Sequence, residues 1–255
     1  MSYGNFLFFD VTHDRLAHMN TRYVIGVVAI VIVLAGGAYW YTQVTPDTVK
    51  STEETFALAE GESIASWDFK GLYTGNTELE KKAQTDIVRL NGMFGTEGNT
   101  DYMLYVSIAG QYELLGDGAK EYEYLLRALA EDSKTTGLAW YNLGTLLVRL
   151  GALESARIAY TKASSAQPHV DQYPTRLLEF LTTYFPKDEK AIEEAYAGAK
   201  AVLGEQPTLL EMHARWLEGV GRTREAIVDW KKIRELSPGS VSAVNSELRR
   251  LEGEL

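Results

Sequence analysis

The chain of 255 residues contains no cysteine, which excludes disulfides, zinc–thiolate sites and cysteine nucleophiles together. It has few histidines: only His13, His18, His169 and His213. His169 and Asp171 lie two apart and read as a solvated polar turn, not as a pair of metal ligands. No strand-like run precedes a glycine-rich phosphate loop, and no nucleophile–histidine arrangement is detectable. The carboxylate pairs Glu53-Glu54 and Glu193-Glu194 are adjacent in sequence. On a helix, neighbours diverge by about 100°, so neither pair converges on one substrate. Positive charge is also short. The net charge is −10, and binding to phosphate backbones needs clustered Lys and Arg. These absences argue against an enzyme, a cofactor, a metal, a small-molecule substrate and a nucleic-acid partner.

Charge is missing locally as well. Residues 1–44 carry only Asp10, Asp14, Arg15 and Arg22, so the acidity belongs to the remainder. Tyr23–Pro46 carries none, and the apolar run over residues 23–41 reaches about 19 residues, close to the roughly 20 that a helix needs to cross a bilayer core. Tyr23 at one end and Tyr39-Trp40-Tyr41 at the other suit the two interfacial aromatic belts. The reading is a single-pass transmembrane helix over 23–41, contacting the lipid bilayer. A cleavable signal ending at Gly36-Gly37-Ala38 is the alternative, disfavoured by the long, weakly basic head and the length of the apolar run. Arg15 and Arg22 precede the span whereas Lys50 follows it, which favours a cytoplasmic N-terminus and an extracytoplasmic remainder in the cell membrane. The head, residues 1–22, holds an apolar Phe6–Phe9 cluster.

Beyond the span, Thr45-Pro46-Asp47 is a helix-start pattern, and the spacing predicts a helix running through Phe56 and Leu58 to about Ser63. The aromatic, glycine-punctuated stretch Trp67–Asn76 reads as a packed loop, and Thr77 as the cap of a helix carrying Leu79, Ala83, Ile87 and Leu90. Residues 42–101 are thus a linker helix and a divergent leading hairpin.

The most informative stretch is Gly137–Val170. Leu143, Leu147 and Leu150 line one face of a helix; Gly151 supplies a turn that can take positive φ; Tyr160 and Ala163 lie on the inner face of a second helix, which Pro168 stops. Trp140, Leu143, Gly144, Leu147, Ala156, Tyr160 and Pro168 stand in register with the tetratricopeptide-repeat (TPR) pattern of about 34 residues, and the stretch resembles that family. Residues 102–135 fit by counting back from Gly116, and residues 207–240 through Leu210, Ala214, Leu217, Gly221, Ala226, Trp230 and Pro238. Residues 171–206 form a degenerate unit, cut short at Pro186. Ser240 opens a capping helix over 241–255, with Val244, Leu248 and Leu251 on one face. His213 replaces an apolar residue of the repeat and should be buried against a polar neighbour. The resemblance, over about residues 102–254, implies an all-α, right-handed superhelical solenoid of antiparallel helix hairpins.

It also implies a concave groove lined by the first helix of each repeat. In the strongest repeat the stripe is Leu138, Tyr141, Asn142, Thr145, Val148 and Arg149; before it comes Met103, Val106, Gly110 and Glu113; in the last repeat, Thr208, Glu211, Arg215 and Glu218. The groove should be apolar and aromatic near the membrane and charged at the far end. The other reading is that these apolar residues pack against the next repeat. Some relatives clamp a carboxy-terminal carboxylate with Lys and Asn. Asn142 matches one such position, but Val106 and Gly110 replace the others, so the clamp does not carry over. The expected function is a membrane-tethered scaffold that presents its groove to a protein or peptide partner. The layout is similar to bacterial envelope proteins with an exported repeat domain. Alternatives are a permanent subunit of a membrane complex, and an organelle-surface receptor with its repeats facing the cytosol.

Overall fold

The computed structural model describes residues 56–255; the head, the 23–41 span and the first part of the linker lie outside the described residues. Among the described residues no helix is long and apolar enough to cross a membrane.

The described chain is helical. Helix α1 (Thr77–Asn91) starts one residue earlier than expected, because the Asn76 side chain, not Thr77, accepts the Leu79 amide. Three hairpins follow the repeat boundaries read from sequence: α2 (Asp101–Leu115) with α3 (Gly118–Glu131), α4 (Leu138–Arg149) with α5 (Leu153–Ala166), and α8 (Pro207–Gly219) with α9 (Thr223–Leu236). Between α5 and α8 lie α6 (Gln172–Tyr184) and α7 (Glu189–Leu203), and a 3-10 turn, Pro238–Ser240, leads into α10 (Val241–Glu252).

The three hairpins turn in the same way, and the reason is local. Gly116, Gly151 and Gly221 sit at φ +83°, +80° and +80°, where a side chain would be strained. The next residue reaches back five positions: Asp117 to Tyr112, Ala152 to Leu147 and Arg222 to Leu217, at 3.0, 2.9 and 2.8 Å. Each hairpin then closes on a small residue. A Cβ on Gly144 would lie 2.7 Å from the ring of Tyr160, so the two helices meet only because Gly144 is bare. Leu143, Leu147, Ala156, Tyr160 and Ala163 are fully buried around that contact.

The degenerate unit lacks the glycine. Phe185 ends α6 by donating to Leu181 at 2.9 Å, and Asp188 caps α7 through the Ala191 amide, so α7 starts at Glu189. The freed Pro186 carbonyl is taken by the Trp216 indole at 2.9 Å, which ties this turn to the last repeat. At the far end Val244, Leu248 and Leu251 are buried beneath α10, as the sequence indicates. Ser240, however, is not a side-chain cap: its hydroxyl donates back to the Ser237 carbonyl at 3.0 Å.

One expectation fails outright. Residues 56–63 are not helical: Phe56–Ala59 are irregular and Glu60-Gly61 form a turn. They begin a strap, residues 56–73, that lies across α3, α4 and the start of α5. The amphipathic spacing of Phe56 and Leu58 does signal burial, but against other helices, not within one. At its far end the strap is tied to the α2–α3 turn, where Phe69 donates to Gly116 at 3.1 Å, Gly118 to Trp67 at 3.0 Å and Tyr73 to Leu114 at 2.9 Å. An isolated antiparallel bridge, Asp68 to Asp117, forms there. A Cβ on Gly71 would meet the Gly116 nitrogen at 2.4 Å, so the two chains run in contact, backbone to backbone.

Candidate functional site

The residues assigned to the groove do not share one environment. On α2, Met103 is 49% exposed but Val106 only 7%. Val106 belongs to the core cluster and does not line an open groove. It is buried because the neighbouring helices of the stack close over this face of α2.

On α4, Leu138, Tyr141 and Val148 are half-buried and pack on the core. The Tyr141 ring lies 5.9 Å from that of Tyr160 in its own hairpin and 5.6 Å from that of Tyr173 in the next unit. It therefore joins two units, edge to face with Tyr160 and tilted against Tyr173, contacts worth about 0.5–1.5 kcal/mol per pair beyond area burial. Thr145 shares a hydrogen bond of 3.1 Å with the Tyr160 hydroxyl and also donates to the Tyr141 carbonyl at 3.1 Å. Asn142 is half-buried. Arg149 is held from two sides, pairing with Glu113 at 3.0 Å and resting its guanidinium 4.3 Å from the Phe69 ring of the strap. The apolar stripe of α4 is thus largely a seam between repeats, and what stays accessible centres on Met103, Asn142 and the outer edges of Leu138 and Tyr141.

At the far end Thr208, Glu211 and Arg215 are exposed, as a charged end of the groove requires, whereas Glu218 is covered. Glu211 and Arg215 pair at 2.8 Å, and Arg215 lies over the Trp230 ring at 5.2 Å. Glu218 accepts the Trp230 indole at 2.7 Å and is bound by Arg250 of the capping helix. Its carboxylate is consumed by α9 and α10 because the capping helix must cover the last repeat. His213 is buried as expected: Nδ1 lies 2.7 Å from Asp229 and the ring stacks on Tyr196 at 3.8 Å.

Two features escaped the sequence. The first is the strap. Its Glu62 carboxylate accepts the backbone amides of Glu154 and Ser155, at 2.7 and 2.9 Å, and the Ser155 hydroxyl. The Ala59 amide donates in turn to Ser155 Oγ at 2.8 Å. A carboxylate on free amides at a helix N-terminus is favourably placed. Burial works against the charge, but these donors outweigh it and hold the Glu62 carboxyl below the usual range. Helix α5 needs this, since its own N-cap is Ala152, whereas α3 and α7 use Asp117 and Asp188. Ala152 at that position was the one available signal. Around it Phe56 meets Trp140 edge-on at 5.7 Å and Trp67 packs on Tyr122 at 4.9 Å.

The second is Glu121, in the first turn of α3 and only 3% exposed, with Oε2 lacking any hydrogen-bond partner. Burial, reinforced by nearby Glu113 and opposed by Arg149, pushes its carboxyl up to about 8.

No protein-family model matches the sequence, and no curated protein matches it. Among solved structures the chain is similar to two crystal structures of MamA. One aligns with a TM-score of 0.51 at 18% identity, covering 65% of this chain and 95% of that one. The other has a TM-score of 0.49 at 19% identity, covering 65% of this chain and 92% of that one. Together with the hairpins described above, the first likeness establishes the fold: a tetratricopeptide-repeat-like stack of helix pairs.

Proposed function

We propose that this protein is a membrane-tethered interaction scaffold, anchored through residues 23–41, which holds its repeats on the extracytoplasmic side and binds a protein or peptide partner. It acts by binding and carries no catalysis of its own. The repeat-like fold supports the scaffold reading, since such stacks offer extended surfaces instead of enclosed chemical sites. The charge-free run Tyr23–Pro46 supports the tether.

The observation that carries the binding reading is the accessible edge of the first-helix face. Met103 stays 49% exposed although Tyr102, Leu104 and Val106 beside it in sequence are buried. Gly110, two turns further along the same face, opens on empty space: a Cβ there would meet nothing within 4 Å. An apolar side chain beside a bare backbone gives a partner's side chain somewhere to seat. The partner surface is accordingly Met103, Gly110, Asn142 and the outer edges of Leu138 and Tyr141, while Val106 and Glu218 serve the core and the cap.

Site-directed photocrosslinking in intact membranes tests this. A photoreactive side chain at Met103 or Asn142 should give a discrete crosslinked species, and the same probe at Val228, exposed on α9, should not. The protein should stay in the membrane fraction after alkaline washing, and protease added outside spheroplasts should digest the repeats. Equal crosslinking from Val228 removes the groove reading, and release by alkali removes the tether.

A further inference from the structure

Sixteen residues separate Phe56 from Tyr73, and the strap they form is held unevenly. The half nearer α1 is fixed by main-chain bonds of Trp67, Phe69 and Tyr73 to the α2–α3 turn and by the glycine contact at Gly71. The leading half, residues 56–66, has no such ladder. The Phe56 carbonyl accepts from the Tyr122 hydroxyl at 3.3 Å, Ala59 donates to Ser155, and Glu62 closes on the α5 terminus. Ala57, Glu60, Gly61, Ser63, Ala65 and Ser66 are exposed. Local opening follows where main-chain bonds are few and the backbone is solvated.

The surface beneath residues 56–66 is built to receive an extended chain. Trp140 provides an aromatic wall, Tyr122 a hydroxyl donor, Ser155 a hydroxyl that both accepts an amide and donates to a carboxylate, and Glu154 and Ser155 two free amides. The polar contacts are to backbone or to one carboxylate, and Phe56, Leu58 and Ile64 add apolar contacts to the core. What the seat recognises is therefore an extended pattern, an aromatic residue followed six positions later by a carboxylate, with apolar residues where Leu58 and Ile64 stand.

We propose that residues 56–66 are a latch with Glu62 as its catch, and that the seat on α3, Trp140 and the start of α5 is a second binding surface, taken by a partner's extended segment bearing an aromatic residue and a carboxylate at that spacing. The latch occupies it in the resting chain. Occupancy of the seat by a partner displaces residues 56–66 from the repeats. This surface is separate from the Met103–Asn142 edge, and neither reading needs the other.

The test uses the full chain and, as probe, a labelled synthetic peptide of residues 56–66. In the wild-type protein the amides of Glu154 and Ser155 should be protected from hydrogen exchange. In Glu62→Ala their exchange should rise at least about tenfold, with α8–α10 unchanged. The peptide should bind Glu62→Ala at least about tenfold more tightly than the wild-type chain, whose seat is filled. A peptide with Gln in place of Glu62, or a chain that also carries Ser155→Ala, should lose that binding by about the same factor. Unchanged exchange at residues 154–155 means Glu62 is not the catch, and the proposal fails. Exchange that rises in every helix makes the strap a structural staple and overturns the latch. Equal binding of the Glu and Gln peptides overturns the carboxylate requirement, and conversion of Glu62→Ala to a dimer assigns the seat to a second copy instead of a partner.

Discussion

Replacing Glu121 by Gln should stabilise this protein at neutral pH, and the size of the gain follows from where the carboxyl sits. Glu121 is 3% exposed with one oxygen unpartnered, and burial first, then Glu113, raises its pKa from the ordinary 4.5 to about 8. Its position in the first turn of α3 would favour a charge through the helix dipole, by about 0.3–1 kcal/mol. Burial wins. In the folded chain the group keeps its proton at pH 7, whereas the unfolded chain releases it, so the unfolded state gains as pH rises. The sign is that of a raised pKa: the contribution is complete below about 4.5, falls with rising pH, and is gone once pH passes about 8. Each pH unit in between costs about 1.4 kcal/mol, which makes about 3 kcal/mol at pH 7. Gln keeps the shape and removes the proton. In a domain of this size about 3 kcal/mol corresponds to on the order of 5–10 °C. Thermal unfolding of both chains, followed by far-ultraviolet circular dichroism between pH 5 and 8.5, should give curves that separate steadily with pH, the wild type falling away from Glu121→Gln. Subtracting the two removes every other titrating group. A difference that does not vary with pH would refute the argument, because it would mean the carboxylate is ionised in the fold and finds a partner.

Gly144→Leu should cost roughly 1–3 kcal/mol or more, read as a lower melting temperature, since even a Cβ there falls 2.7 Å from the Tyr160 ring. Tyr141→Ala should cost about 1–3 kcal/mol through its two aromatic contacts and lost burial, and hydrogen exchange should rise in α6 more than in α2, because the ring joins α4 to Tyr173. An intact α6 would show that Tyr141 is a surface residue after all.

Sequence and tertiary structure divide their work along a physical line. What the sequence determined by itself was local. The spacing of Leu143, Leu147, Ala156 and Tyr160, the turn glycines at 116, 151 and 221 and the breaks at Pro168 and Pro186 set the hairpins and their boundaries. Helix periodicity and positive φ are properties of a few neighbouring residues, so they are written in the order of the chain. The same logic placed His213 inside and the apolar face of α10 against the last repeat.

What only the tertiary structure decided was which apolar and charged residues face each other across long separations. Tyr141 and Val106 have the same periodic credentials as a groove stripe, yet one became a seam between repeats and the other core, because stacking covers any face that a neighbouring unit can reach. Glu218 looked like a free charge until Arg250, on the capping helix, bound it. Phe56 and Leu58 looked like a helix face, and their segment became a strap whose carboxylate, from 92 residues away, supplies the cap that Ala152 cannot give α5. Contacts at that distance leave no periodic trace in the sequence, since their geometry exists only once the hairpins have stacked.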